Sequence, residues 1–315
     1  MRNRRVKALS ISRPVFDMVK RDGLTGRVLA NHHRACNLVT SAGEIIALVG
    51  PAIGNGPLNI VIEETSVLEH VKTGLPAAFS DAQLVLGDSL VVLLDGAQLW
   101  RPEVNWECVT TQRRRLEDNL AALCDWLSRN DCAKGLLDLV LDAGKESGAR
   151  ADGTPSPHRR AFLAMAWAGI KGLLLALQDG DRSSIGESAA LLAGLGPGLT
   201  PAGDDYLVGL MAGLRVWPGL LESSRLSPDE ACQIILEATE GRTTLLSSAF
   251  LHSAREGLFG ENWHKLLAQL ARGEVIGIQQ AARRILSSGA TSGADALAGF
   301  LSPYLRQRQP DNLPS

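Results

Sequence analysis

The chain carries almost no net charge: 32 Lys and Arg against 34 Asp and Glu leave a formal −2 over 315 residues, so nothing marks it as a general nucleic-acid binder. It has five cysteines, at positions 36, 108, 124, 132 and 232, and none forms a Cys-x-x-Cys pair. That odd, scattered set excludes a disulfide frame and a zinc site and points to reduced thiols in the cytoplasm. A signal-peptide core is also missing, because the basic start of Arg2, Arg4, Arg5 and Lys7 is followed by Ser10, Ser12, Arg13 and Asp17. The most apolar run, Ala161 to Leu177, contains Lys171 and is flanked by Arg159, Arg160 and Asp179. It falls short of the roughly 20 residues of a membrane span and reads as a buried core helix, with no membrane implied.

What is present is an ordinary globular composition, 45% hydrophobic and 21% charged, in a chain long enough for two domains. Short β-like segments, Arg27 to Ala30, Glu44 to Val49, Leu58 to Glu63, Leu84 to Leu86 and Leu90 to Leu94, alternate with turn signals such as Gly54-Asn55-Gly56-Pro57. Helical periodicity takes over at the basic run Arg113 to Arg115. The predicted fold is α+β: a small, mainly β domain over 1–112, then a larger helical domain over 113–315. A loop is expected over Gly148 to Pro157, and a frayed polar tail over Gln307 to Ser315. In the β domain, Asn37 (beside His32, His33 and Cys36) and Asn55 (between two glycines) are candidate ligand contacts; a plain surface turn is the alternative for Asn55.

The chain reads as organised around Gly194 to Leu214, GLGPGLTPAGDDYLVGLMAGL. Three alternating glycines lead into Thr200, read as an N-cap, and Pro201, read as the first helical residue. Leu207, Leu210, Met211 and Leu214 then define an apolar face, while Asp205, Gly209 and Gly213 form another line at four-residue spacing. With no side chains at the two glycines, another backbone or a ligand can approach beside Asp205. Asp204 and Asp205 leave the helix start in different directions. The plainer reading is that they complement the positive helix end and that the glycines serve packing.

A second stretch repeats the pattern. Gly289 matches Gly198 and Thr291 matches Thr200; with one residue deleted, Gly293 matches Gly203, Asp295 matches Asp205, Leu297 matches Leu207 and Gly299 matches Gly209. A duplicated glycine-loop and helix-start unit follows, with both starts expected to face one pocket. Between the copies lie Arg242 and Thr243, which can cap and line a further helix start, and His252, a weaker candidate base.

Free amides at helix starts favour anions, whereas aspartates repel them. One solution is a divalent ion such as Mg²⁺, held by Asp204 and Asp205, with phosphate on the amides. Another is a ureido or carbamoyl ligand, whose N–H groups suit the aspartates and whose carboxylate suits Arg242 or the helix amides. No nucleotide loop competes, since aspartate follows Gly203 where a P-loop has lysine. Asp204, Asp205 and Asp295 are thus the candidate catalytic residues. Gly198, Thr200, Gly203, Arg242, Thr243, Thr291, Ser292, Gly293, Asn37 and Asn55 are the candidate ligand contacts.

At Gly198-Leu199-Thr200-Pro201-Ala202-Gly203-Asp204-Asp205, at Thr243-Thr244 to Ser247, and at Thr291-Ser292-Gly293 with Asp295, the sequence resembles the AllH-type subunit family of oxamate carbamoyltransferase. Asn37-Leu38 and Gly54-Asn55-Gly56-Pro57 are similar to that family's N-terminal pattern. The resemblance spans most of the chain and implies a role, with partner subunits, in anaerobic allantoin breakdown: oxalurate and phosphate give oxamate and carbamoyl phosphate. It brings no list of catalytic residues. Two other functions fit the residues: a non-catalytic assembly subunit, and a Mg²⁺-dependent phosphoryl or amide hydrolase.

Overall fold

A computed structural model describes residues 4–130, 135–142 and 156–308. The chain divides into two compact units. The first runs to Val104 and takes back Leu258–His264; the second holds Asn105–Gly257 and the chain from Lys265 onward. The division comes a little before the expected 112/113 because Asn105 already caps a helix, its side-chain oxygen accepting from Cys108 N at 2.9 Å. The return of Leu258–His264 was not legible in the sequence. It rests on backbone pairing, a bridge between Glu103 and Leu258 and a bond from Phe259 N to the Pro102 carbonyl at 3.1 Å.

The expected mainly β domain is a closed barrel. Its strands are β1 (Arg4–Ser12), β2 (Thr25–His32), β3 (Ala35–Thr40), β4 (Ile45–Val49), β5 (Asn59–Ile62), β6 (Pro76–Phe79), β7 (Gln83–Leu86), β8 (Leu90–Leu93) and β9 (Gln98–Trp100), with one short helix, α1 (Arg13–Val19). The order β5-β4-β3-β2-β6-β7-β8-β1 closes through a β1–β5 pairing, and β9 lies beside the far end of β1. β1 is the strand that closes the ring: Arg4–Lys7 run parallel to β8, then Ala8–Ile11 run antiparallel to β5. A bulge between Ala8 and Ser10, inside the pairing with β5, leaves Leu9 48% exposed. Inward residues alternate as a barrel requires; Val6, Leu38, Leu48, Ile60, Leu84 and Val92 share one buried cluster.

The second unit is helical: α2 (Trp106–Thr110), α3 (Arg113–Arg129), α4 (Leu136–Asp142), α5 (Pro157–Asp179), α6 (Arg182–Leu192), α7 (Ala202–Val216), α8 (Pro228–Thr239), α9 (Leu245–Arg255), α10 (Glu261–Arg272, whose first turn belongs to the returning segment), α11 (Val275–Leu286) and α12 (Ser292–Arg308). Of the expected loop over Gly148 to Pro157, all but the last two residues lie outside the described residues, as do Cys132 and the tail beyond Arg308. The other cysteines, Cys36, Cys108, Cys124 and Cys232, are free.

The apolar helix α5 is long and apolar enough to cross a membrane, with a mean hydropathy of 1.6 in its most apolar 18-residue window and 39% of that window buried. The expectation of a fully buried core helix therefore holds only for its second half, where Ile170, Leu173, Leu174 and Leu177 are buried and Gly169 and Gly172 pack on Leu192 and Ser188 of α6. At 23 residues against 11, α5 outruns α6, and Ala161, Ala164, Met165 and Ala168 are exposed.

The centre of the unit is the pair α7 and α12. They run in the same direction and touch backbone to backbone. A Cβ on Gly209 would collide with the Ala296 carbonyl, one on Gly213 with the Phe300 carbonyl, and one on Gly299 with the Tyr206 carbonyl. The close approach that Gly209 and Gly213 permit is thus taken by another backbone. The two repeat units use their glycines reciprocally, Gly209 on Ala296 and Gly299 on Tyr206. Gly203 and Gly293 likewise each rest on a carbonyl near the end of the preceding helix, Leu192 and Ile285. The one-residue deletion in the sequence alignment keeps these glycines equivalent. Deeper in the interface Tyr206 Oη donates to Ser302 Oγ at 2.9 Å, which satisfies a phenol with no exposure.

Gly209→Ala and Gly299→Ala will each destabilise the chain by roughly 3 kcal/mol, since neither backbone can retreat. Gly186→Ala in α6, where an added Cβ meets open space, will instead be neutral or stabilise by about 0.5–1 kcal/mol. Urea unfolding of the three variants checks this; equal effects would mean that helix propensity, and not contact, sets the cost.

Candidate functional site

Close packing of α7 on α12 brings the two helix starts together. Thr200 Oγ1 lies 3.1 Å from Ser292 Oγ. This corrects the N-cap reading. The cap position of α7 is Pro201, with no side-chain cap, and Pro201 C=O accepts from Asp205 N at 3.1 Å. The Thr200 hydroxyl bridges to the other copy and caps no backbone amide of its own helix. Thr243 is corrected in the same way: Thr244 caps α9, accepting from Ser247 N at 3.1 Å, and Thr243 is left to donate its hydroxyl hydrogen to Asp204 Oδ2.

The three aspartates occupy different environments. Asp204 is 1% exposed and has both oxygens engaged, Oδ1 by Gly194 N at 2.9 Å and Oδ2 by Thr243. Gly194 has φ +70°, and a Cβ there would strike the Arg242 carbonyl. A glycine at 194 thus lets the Arg242-Thr243 backbone reach Asp204. Burial raises the Asp204 pKa, opposed by Thr243, Gly194 and Ser247. Asp204 therefore ties the glycine loop to the start of α9. Arg242 contributes its backbone there and is exposed.

Asp295 has no exposure. Its Oδ1 accepts from Leu136 N at 2.7 Å at the start of α4, and its Oδ2 is buried without a partner. Gly135, at φ +60°, leaves the room this carboxylate needs. Burial raises the Asp295 pKa, against the Leu136 amide and the Thr291 hydroxyl. Asp205 also has a buried, unpartnered Oδ2. Burial pushes its pKa up to about 8; the charges of Asp295 and Asp204 add to the rise, and the Ser292 and Thr200 hydroxyls oppose it. Burial and the neighbouring carboxylates thus favour the neutral form of Asp205.

The Mg²⁺ reading loses its paired carboxylates, since both Asp204 oxygens are taken. Among the described residues no three His, Cys, Asp or Glu side chains are grouped to hold a metal. Of the proposed ligand contacts, Thr200, Gly203, Thr243, Thr291, Ser292 and Gly293 lie around the two helix starts. Gly198, at φ +106°, has open space on its side-chain face. His252 is exposed, with Nδ1 2.8 Å from the Ser248 carbonyl one turn back. Asn37 and Asn55 belong to the barrel unit: Asn37 is buried in β3. Asn55 donates to Glu261 Oε2 from its backbone N at 3.2 Å and from Nδ2 at 3.1 Å, and accepts from Ser10 Oγ at 2.5 Å. Its turn is a tied corner of that unit. The backbone amides of Leu136 and Gly194 were missed, because a main-chain donor leaves no mark on residue type.

Two family models match the chain. One, described as oxamate carbamoyltransferase subunit AllH, covers residues 192–303; the other, described as the AllH family N-terminal domain, covers residues 7–99. The chain belongs to the AllH family. The first match contains the whole α7 and α9 starts, both glycine units and all three aspartates; the second contains nearly all of the barrel. No solved structure matches the chain.

The folded chain holds a proton on Asp205 that an ordinary carboxyl, at 3.8, has released. The stability contributed by this group therefore falls as pH rises from about 4 to about 8 and is level above that. Asp205→Asn removes the dependence, so the variant gains on the wild type progressively across that window. Thermal melts of both proteins at matched pH values test it; parallel curves would show that Asp205 titrates normally.

Proposed function

We propose that this AllH-family chain is a working subunit of an oxamate carbamoyltransferase that, with partner subunits, converts oxalurate and phosphate to oxamate and carbamoyl phosphate. In that reaction the bond between the carbamoyl carbon and the bridging nitrogen breaks, a bond from that carbon to a phosphate oxygen forms, and the nitrogen takes up a proton. The observation that carries the reading is the meeting of two helix starts around two carboxyl oxygens that are buried without partners. Unpaired buried acceptors are costly in a structural role and are explained when a ligand supplies the missing hydrogen bonds. Helix amides and hydroxyls nearby suit the charge that develops during acyl transfer. Exposed Leu199 and Leu245, beside the joined starts, and exposed Met165 and Leu191 on α5 and α6 are apolar surface suited to the enzyme's other subunits.

The test is carbamoyl phosphate formation from oxalurate by the enzyme reconstituted from all its subunits. Asp205→Asn and Asp295→Asn will each lower kcat/KM by about a hundredfold or more, while Asp229→Asn, on an 80% exposed side chain of α8, will leave it within a factor of two. A reconstituted enzyme in which both site variants keep wild-type rates would assign this chain to assembly alone.

A further inference from the structure

The two free oxygens differ in what fixes them. Asp295 is pinned: its Oδ1 is held by the Leu136 amide, so only Oδ2 faces away from a partner. Asp205 has its Oδ2 free in the same way, with the Thr200 and Ser292 hydroxyls beside its carboxyl group. The charged groups acting on Asp205 are Asp295 of α12 and Asp204 of its own helix.

A phosphate fits this place badly, because its charge would meet buried carboxyls that already repel each other. A neutral group carrying one donor and one acceptor side by side fits it well. We infer that Asp205 and Asp295 together grip the edge of an unsubstituted amide, Asp295 Oδ2 accepting one of its N–H hydrogens and the Asp205 carboxyl donating to its carbonyl oxygen. This rests on the carbamoyltransferase reading and narrows it: the pair takes the carbamoyl end of the substrate, and the phosphate is held elsewhere. Burial favours the protonated Asp205 carboxyl, which supplies the donor.

The pinned oxygen makes the two isosteric variants unequal. In Asp295→Asn the amide oxygen must stay on Leu136 N, which turns an NH₂ toward the ligand where an acceptor is required. In Asp205→Asn an NH₂ can stand where the carboxyl O–H stood. Calorimetric titration of the full-length chain with oxalurate, whose carbamoyl end is an unsubstituted amide, and with its analogue dimethylated on the terminal nitrogen, which lacks N–H there, reads the difference. Wild type and Asp205→Asn will bind oxalurate within about threefold of each other, and Asp295→Asn at least tenfold more weakly. The dimethyl compound will bind wild type at least tenfold more weakly than oxalurate. Circular dichroism melts confirm that both variants are folded.

Equal losses in the two variants, an unaffected Asp295→Asn, no discrimination against the dimethyl compound, or no oxalurate binding by the wild-type chain would each overturn the inference. The broader reading stands or falls separately, on the turnover of the reconstituted enzyme. If both variants abolish turnover but show no asymmetry in binding, the pair is catalytic without gripping the amide in this manner.

Discussion

Contact between two backbones, with no side chain between them, is the constraint on which the rest of the helical unit depends. Gly209 against Ala296 and Gly299 against Tyr206 hold α7 and α12 closer than any residue with a Cβ allows. Helices locked at that distance and running in one direction must bring their starts together. The bridge between Thr200 and Ser292, and the mutual influence of Asp205 and Asp295, follow from it. The reciprocity of the glycine contacts is what a duplicated helical unit packed against its own copy produces, in the way a self-complementary interface pairs residue i with j and j with i.

The joined starts place opposite electrostatic demands side by side. Free amides and aligned dipoles favour negative charge, and burial opposes it. Each aspartate settles this differently. Asp204 is ionisable but saturated, and its hydrogen bonds hold the glycine loop to the start of α9. Asp295 is half saturated and rigid. Asp205 is the least compensated, the one whose carboxyl is pushed farthest toward its neutral form. A gradient from fixed to uncompensated across three carboxyls is the pattern by which an active site separates structural from chemical roles.

Much of this could be seen in the sequence because it follows from helical spacing. An Asp and a Gly four residues apart, twice, on segments with matching glycine starts, already state that two helices share a face and that something passes close to it. The sequence left open whether that something was ligand or backbone; at Gly209 and Gly299 it is backbone. Thr200 reads as a cap because its preference for local bonding is strong; in the fold its hydroxyl meets Ser292 of the other copy and the Asp205 carboxyl. Contacts made by main-chain groups, Leu136 N to Asp295 and Gly194 N to Asp204, have no sequence signature. The barrel was legible as short strands, yet its closure was not: β1 begins Arg4-Arg5-Val6-Lys7 and reads as a basic head, although its alternate residues point inward and it pairs with both β8 and β5.

The two glycine-led helix starts are proposed to form one binding site. A crystal structure of this chain with oxalurate bound is the decisive test. Ligand density is expected beside the Thr200–Ser292 bridge, with the carbamoyl amide within hydrogen-bond distance of both Asp205 and Asp295. Ligand bound elsewhere, with the two carboxyl oxygens still buried and unpartnered, would contradict it.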